Sequence, residues 1–366
     1  MNNLDVIHGG DVDRVAREYG YDPREILDYS ANINPLPLPK TMKDFLGSHL
    51  DVLSRYPDRD YRELKGALAA YTGYPSGWIM VGNGATELIY LAARALKPRK
   101  VLIPAPSFAD YERAFASRQM PVDYFEIKEA DDFRLDVAGF IRELARGYDM
   151  TVLCSPNNPT GKVIPKRELL KILDEAQKRH TYVLLDETFV EFVPDIQGAS
   201  ILGELEKYEN VIILRAFTKF FAVPGLRLGY CLAHPILLEK LKAHQEPWTV
   251  NALAALLGPW LLGQKEYVEK TRKWILAERP YFINKLRELK EIKVYDSDSN
   301  FILVKLLTRS WSVKALKRAM EGQGIMIRDA SSFRFLDEHF FRLAIKGREG
   351  NDRVLGELEE ILRPYM

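Results

Sequence analysis

Lys219 stands in a largely apolar run, residues 214–230, with Arg227 eight positions after it. A lysine held among apolar neighbours loses hydration, so its neutral amine becomes accessible. That amine condenses with an aldehyde. Arg227 offers a planar fork suited to phosphate. Asp186 closes another apolar run, residues 183–185. If that run is a strand, the carboxylate lies where ligands bind in open α/β sheets. Gly82, Gly84, Ala85 and Thr86 form a turn ahead of a helical run at 88–96. Glycines let backbone amides approach a phosphate, and a helix N-terminus favours its charge. Residues 155–161 are a turn signal after a further strand-like run. Each feature also has an ordinary reading. A lysine can snorkel from an apolar loop, an aspartate can cap a helix, and a glycine turn can merely open one.

The elements that must carry these residues follow from the hydrophobic pattern. Residues 101–103, 150–154, 182–185, 211–214 and 228–232 are short and almost wholly apolar. That pattern predicts strands buried on both faces of a mainly parallel sheet. Helical stretches such as 167–179 lie between them, giving an α/β sandwich. The end of the chain differs. A long charged amphipathic helix, 265–289, precedes strand candidates at 293–295, 300–304, 325–327 and 340–345. We expect a large domain over residues 41–265. A small α+β domain should comprise residues 1–40 and 266–366.

Composition bounds the function. With 366 residues the chain has room for two domains. Hydrophobic residues make up 47% and charged residues 28%, as in soluble globular proteins. A net charge of +1 argues against nucleic-acid or membrane-surface partners. Cys154 and Cys231 sit in apolar runs, which suits a reducing cytoplasm. The first residues lack a signal-peptide pattern, and the longest uncharged apolar run, 253–262, is too short to span a bilayer. No G-x-G-x-x-G follows an early strand, which disfavours a dinucleotide-dependent dehydrogenase. No metal site is expected.

Together the four segments resemble the pyridoxal-5′-phosphate (PLP)-dependent class I/II aminotransferase superfamily, fold type I, over nearly the whole chain. The resemblance implies an aspartate-aminotransferase-like fold with Lys219 carrying the cofactor as a Schiff base. It implies that Asp186 keeps the pyridine nitrogen protonated and that Asn158 donates to the phenolic oxygen. Phe108 matches the aromatic that stacks on the ring, with core packing as the alternative. Gly84, Ala85, Thr86, Thr218 and Arg227 would hold the cofactor phosphate. Tyr56 matches a tyrosine reaching the partner's cofactor phosphate, which implies a homodimer with shared active sites. Two positions depart from the pattern. Ala216 replaces a common serine, and Phe189 replaces a common tyrosine near the phenolic oxygen.

Two sister families fit best. The 7–10 segment (Ile-His-Gly-Gly) and the 28–37 segment resemble the opening of L-threonine-O-3-phosphate decarboxylases, as does the 186–189 variant. Those enzymes form (R)-1-amino-2-propanol O-2-phosphate for cobalamin synthesis. Histidinol-phosphate aminotransferases are the alternative. Either substrate is a small phosphorylated amino acid or amino alcohol. The resemblance assigns His8, Asn32, Arg328 and Arg342 to it. Plainer readings are a flexible terminus at His8 and arginines paired with Asp329 or Glu338.

Overall fold

The computed structural model describes residues 9–308 and 310–363. In chain order β1 (Leu27–Asp28) precedes β2 (Ile79–Gly82), β3 (Val101–Ala105), β4 (Val122–Glu126), β5 (Met150–Cys154), β6 (Tyr182–Asp186), β7 (Val211–Ala216) and β8 (Gly229–Ala233). Then come β9 (Ile292–Val294), β10 (Phe301–Leu306), β11 (Ile325–Met326), β12 (Arg328–Asp329) and β13 (Phe340–Ala344).

Strands β2 to β8 form one sheet in the order β2-β8-β7-β6-β5-β3-β4. Strands β3 to β7 pair in parallel, and β8 runs antiparallel to both β2 and β7. Their apolar runs have a physical cause, because successive side chains point to opposite faces. Val152, Leu184 and Ile212 pack on one face with Leu88, Ile89 and Phe115. Leu153, Leu185 and Ile213 pack on the other with Leu169, Leu173 and Leu257. The sheet is therefore the middle of three layers. Two of its strands, β2 and β4, lie outside the five expected runs, β2 although it is apolar and buried throughout. The residues of β4, Val-Asp-Tyr-Phe-Glu, mix polar and apolar along a half-buried edge. Strand β2 runs straight into the glycine turn.

A second sheet has the order β12-β13-β10-β9, and β1 pairs in parallel with β11. The helix expected over 265–289 is Lys265–Leu286. Asn34 ties the N-terminal segment to the large sheet. Its Nδ2 meets Phe220 O at 2.8 Å, Tyr267 Oη at 2.9 Å and Thr271 Oγ1 at 2.8 Å. Its backbone N–H donates to Lys219 O at 3.1 Å. Below the strand ends Arg215 and Glu187 form a buried ion pair at 2.7 Å, and Ser200 Oγ donates to Glu187 at 2.9 Å. No described helix is long and apolar enough to cross a membrane.

The helix Gly84–Leu96 starts hard against β8. A Cβ on Gly229 would lie 2.6 Å from Ala85 N and 2.7 Å from Gly84 C, both backbone atoms. Gly229→Ala must push the helix start away, at about 1–3 kcal/mol. Gly203→Ala is the control, since a Cβ there meets nothing within 4 Å. Denaturant midpoints should fall clearly for Gly229→Ala only. Equal midpoints would contradict this packing.

Candidate active site

A cavity of about 460 Å³ opens at the carboxyl ends of the parallel strands, between the two sheets. Successive strands each deliver a loop to it. Phe108 follows β3, Asn158 follows β5, Asp186 ends β6, and Thr218 and Lys219 follow β7. Ala85 and Thr86 line it from the first turn of the helix Gly84–Leu96. Asn32 and Ser30 enter from the N-terminal segment, and Arg328 and Arg342 from the small sheet.

Lys219 sits in the short helix Phe217–Phe220. Burial lowers its affinity for a proton, and Arg342 and Arg227 add repulsion, so its pKa is pushed down to about 8. Asp186 shows the opposite condition. It is a buried carboxylate with no basic partner among the described residues, and burial raises its pKa against the opposing hydrogen bonds of Thr188 and Tyr111. Thr188 N–H donates to Oδ1 at 2.9 Å and Tyr111 Oη donates to Oδ2 at 2.6 Å.

Arg227 lies at the helix start. A Cβ on Gly84, whose φ is +75°, would come within 2.7 Å of Arg227 Nη2. That left-handed φ favours glycine, and it lets the guanidinium lie close to the backbone amides of the helix start, a place suited to a small anion. The side of the cavity formed by the small sheet is also cationic. Arg328 and Arg342 are buried cross-strand partners on β12 and β13. Like charges placed opposite one another repel. Arg342 donates to Asn158 Oδ1 and, at 2.7 Å, to Ser30 O. Its Nε is buried without a partner. Burial, then Arg328, pushes its pKa down to about 9. Neither arginine forms an ion pair among the described residues, so the plainer pairing with Asp329 or Glu338 is not realised.

The other expected residues fall as follows. Asn32 faces the cavity, with its Oδ1 buried and unpartnered. Phe189 lines the cavity and packs edge-on against Phe301 at 4.9 Å. Ala216 lines it too. Tyr56 does not reach the cavity of its own chain. It is exposed and stacks on Trp248 at 4.6 Å. His8 lies outside the described residues. Its neighbour Gly9 lines the cavity, and a Cβ there would come within 2.3 Å of Ser30 O. Tyr111, Ser30 and Ser332 also line the cavity, and Asp28 acts on Lys219 through its charge; none of the four was expected there. Tyr111 follows Phe108 by three positions on the next helix, which was the available signal. The others are small or acidic residues whose roles depend on long-range contacts.

These groups fit PLP. The Gly84–Arg227 cradle suits its phosphate, the uncompensated Asp186 suits its ring nitrogen, and the lowered Lys219 amine suits its aldehyde carbon.

Comparison with known proteins agrees. The family model for aminotransferase class I and II matches residues 24–358. Threonine-phosphate decarboxylase of Salmonella typhimurium is 37% identical over 97% of this chain and 96% of its own. A protein of Caldanaerobacter subterraneus subsp. tengcongensis, provisionally given the same name, is 42% identical over 98% of this chain and 95% of its own. The crystal structure of histidinol-phosphate aminotransferase from Clostridium acetobutylicum superposes with a TM-score of 0.86 at 33% identity, covering 92% of this chain and 99% of that one. The chain belongs to the class I and II aminotransferase family.

Proposed function

We propose that the protein decarboxylates L-threonine O-3-phosphate to (R)-1-amino-2-propanol O-2-phosphate, acting in the cytoplasm. One observation carries this reading: the buried, unpaired Arg328–Arg342 pair. Among the described residues, the cationic side chains lining the cavity are Lys219, Arg227, Arg328 and Arg342. Lys219 and Arg227 serve the cofactor. The two remaining guanidiniums match the two charges of a phosphomonoester. No arginine of the cavity is then left to clamp the substrate's carboxylate. With the substrate held by its phosphate, the carboxylate is the α-substituent that departs as carbon dioxide in this reading. The decarboxylases at 37–42% identity support the same assignment.

The chain's own groups divide the work. When bound, PLP supplies an aldehyde for the substrate amine and a protonated ring that accepts the electron pair released at the α-carbon. Asp186 holds the proton on the ring nitrogen. Asn158 and Arg342, hydrogen-bonded to each other, link the cofactor side of the cavity to the substrate side. Arg328 and Arg342 hold the substrate phosphate, and we assign His8, next to Gly9, to the same anion. The bond between the α-carbon and the carboxylate breaks, carbon dioxide departs, and the Lys219 ammonium returns a proton to the α-carbon. Exposed Tyr56 and Trp248 are the surface through which a second copy would bring Tyr56 to this site, making a homodimer.

Histidinol-phosphate aminotransferase is the second reading, favoured by the close superposition on that enzyme. Product analysis separates the two. L-threonine phosphate should release carbon dioxide with no oxo acid present. Glutamate formed from 2-oxoglutarate and histidinol phosphate, without carbon dioxide from threonine phosphate, would promote the second reading.

Two further outcomes are expected. Arg328→Met should raise KM for L-threonine phosphate about ten- to a hundredfold, the worth of a charge-assisted hydrogen bond. It should not lower thermal stability, because it relieves cross-strand repulsion. An unchanged KM would remove Arg328 from the substrate site. Capture of free PLP by cofactor-free protein requires the neutral Lys219 amine, whose pKa is about 8. The uptake rate should rise with pH up to that value and level off above it. A rate that falls over this range would contradict the lowered lysine.

A further inference from the structure

We propose that Tyr111 is a positioning residue for the reaction: its phenol fixes the plane of the Asp186 carboxylate that faces the cofactor ring. The inference rests on the PLP reading of the site.

Alternation along β6 sends Asp186 to the same sheet face as Leu184, the face covered by the helix Ala109–Ala116. Tyr111 lies in the first turn of that helix and is fully buried. Its Oη donates to Asp186 Oδ2 at 2.6 Å, within the range of strong O–H···O⁻ bonds. Thr188 N–H donates to the other oxygen at 2.9 Å. One donor on each oxygen stops the carboxylate from turning about its Cβ–Cγ bond. Both Asp186 and Tyr111 line the cavity.

The phenol is itself held. The ring of Phe108 meets that of Tyr111 edge-on, with centroids 5.6 Å apart and planes at 84°. Phe108 lines the cavity as well. The residue expected to cover the cofactor ring therefore braces the residue that aims its nitrogen partner. Cys154, level with Asp186 on the neighbouring strand, completes the enclosure. Burial of the tyrosine, with the negative charge of Asp186 beside it, keeps its phenol protonated and so a donor. The Tyr111 bond in turn opposes the protonation of Asp186 that burial promotes.

The test compares holoenzymes reconstituted with PLP labelled with ¹⁵N in the ring. Tyr111→Phe keeps the ring packing and deletes one hydroxyl. Loss of a hydrogen bond to a charged group should weaken cofactor affinity about ten- to a hundredfold. It should move the ¹⁵N resonance toward the unprotonated ring and lower kcat while sparing KM. The thermal midpoint of the cofactor-free protein should change little. Asp186→Asn serves as the reference. A resonance moved by Asp186→Asn but not by Tyr111→Phe, with affinity retained, overturns the role of Tyr111 alone. A resonance unmoved in both variants overturns the Asp186 assignment and this proposal with it.

Discussion

The seam between the two sheets concentrates positive charge that forms no ion pair among the described residues. Lys219, Arg328 and Arg342 converge there, and burial makes the charged form of each costlier. Asp28 is the acidic group felt by Lys219 and Arg342, and its Oδ1 already accepts from Ser30 Oγ at 2.5 Å. Burying charges without partners opposes folding. The arrangement persists because the two cores around it are large and apolar. A ligand that brings its own negative charge relieves the strain. The chain is therefore built around what it must bind, and the anions of cofactor and substrate complete its electrostatics.

The fold makes this possible by simple periodicities. Parallel strands bring Cys154, Asp186 and Leu214 to one level. Alternation then assigns Asp186 to the ligand side and Glu187 to the buried pair with Arg215. The same rule puts Ala216 on the cavity and Arg215 behind it. Glycine supplies the close approaches. Gly84 admits Arg227, Gly229 admits the helix start, and Gly9 admits the backbone of Ser30. A side chain at any of the three would separate parts that have to touch.

Much of this was legible in the sequence because the large-sheet site is local. Lys219, Asp186, Asn158 and Gly84 each sit just beyond an apolar run, so type and position are read together. The central strands were visible for the same reason. The half-exposed edge strand β4 was not, because Asp123 and Glu126 break its apolar run. Contacts between distant segments were equally hidden. Nothing near Tyr111 announces Asp186, 75 positions away. Nothing near Asn34 announces the Lys219 turn or the helix Lys265–Leu286 that it joins. The pairing of Arg328 with Arg342 depends on the antiparallel register of β12 and β13.

The central claim is that the depressed amine of Lys219 is the group that holds PLP. Borohydride reduction of the holoenzyme, followed by proteolysis and mass mapping of the phosphopyridoxyl label, tests it at the level of one residue. The account predicts a single labelled site at Lys219 and bleaching of the visible absorbance in step with labelling. Label on Lys346, a half-buried lysine near Asp28, or bleaching without label on Lys219, would contradict it.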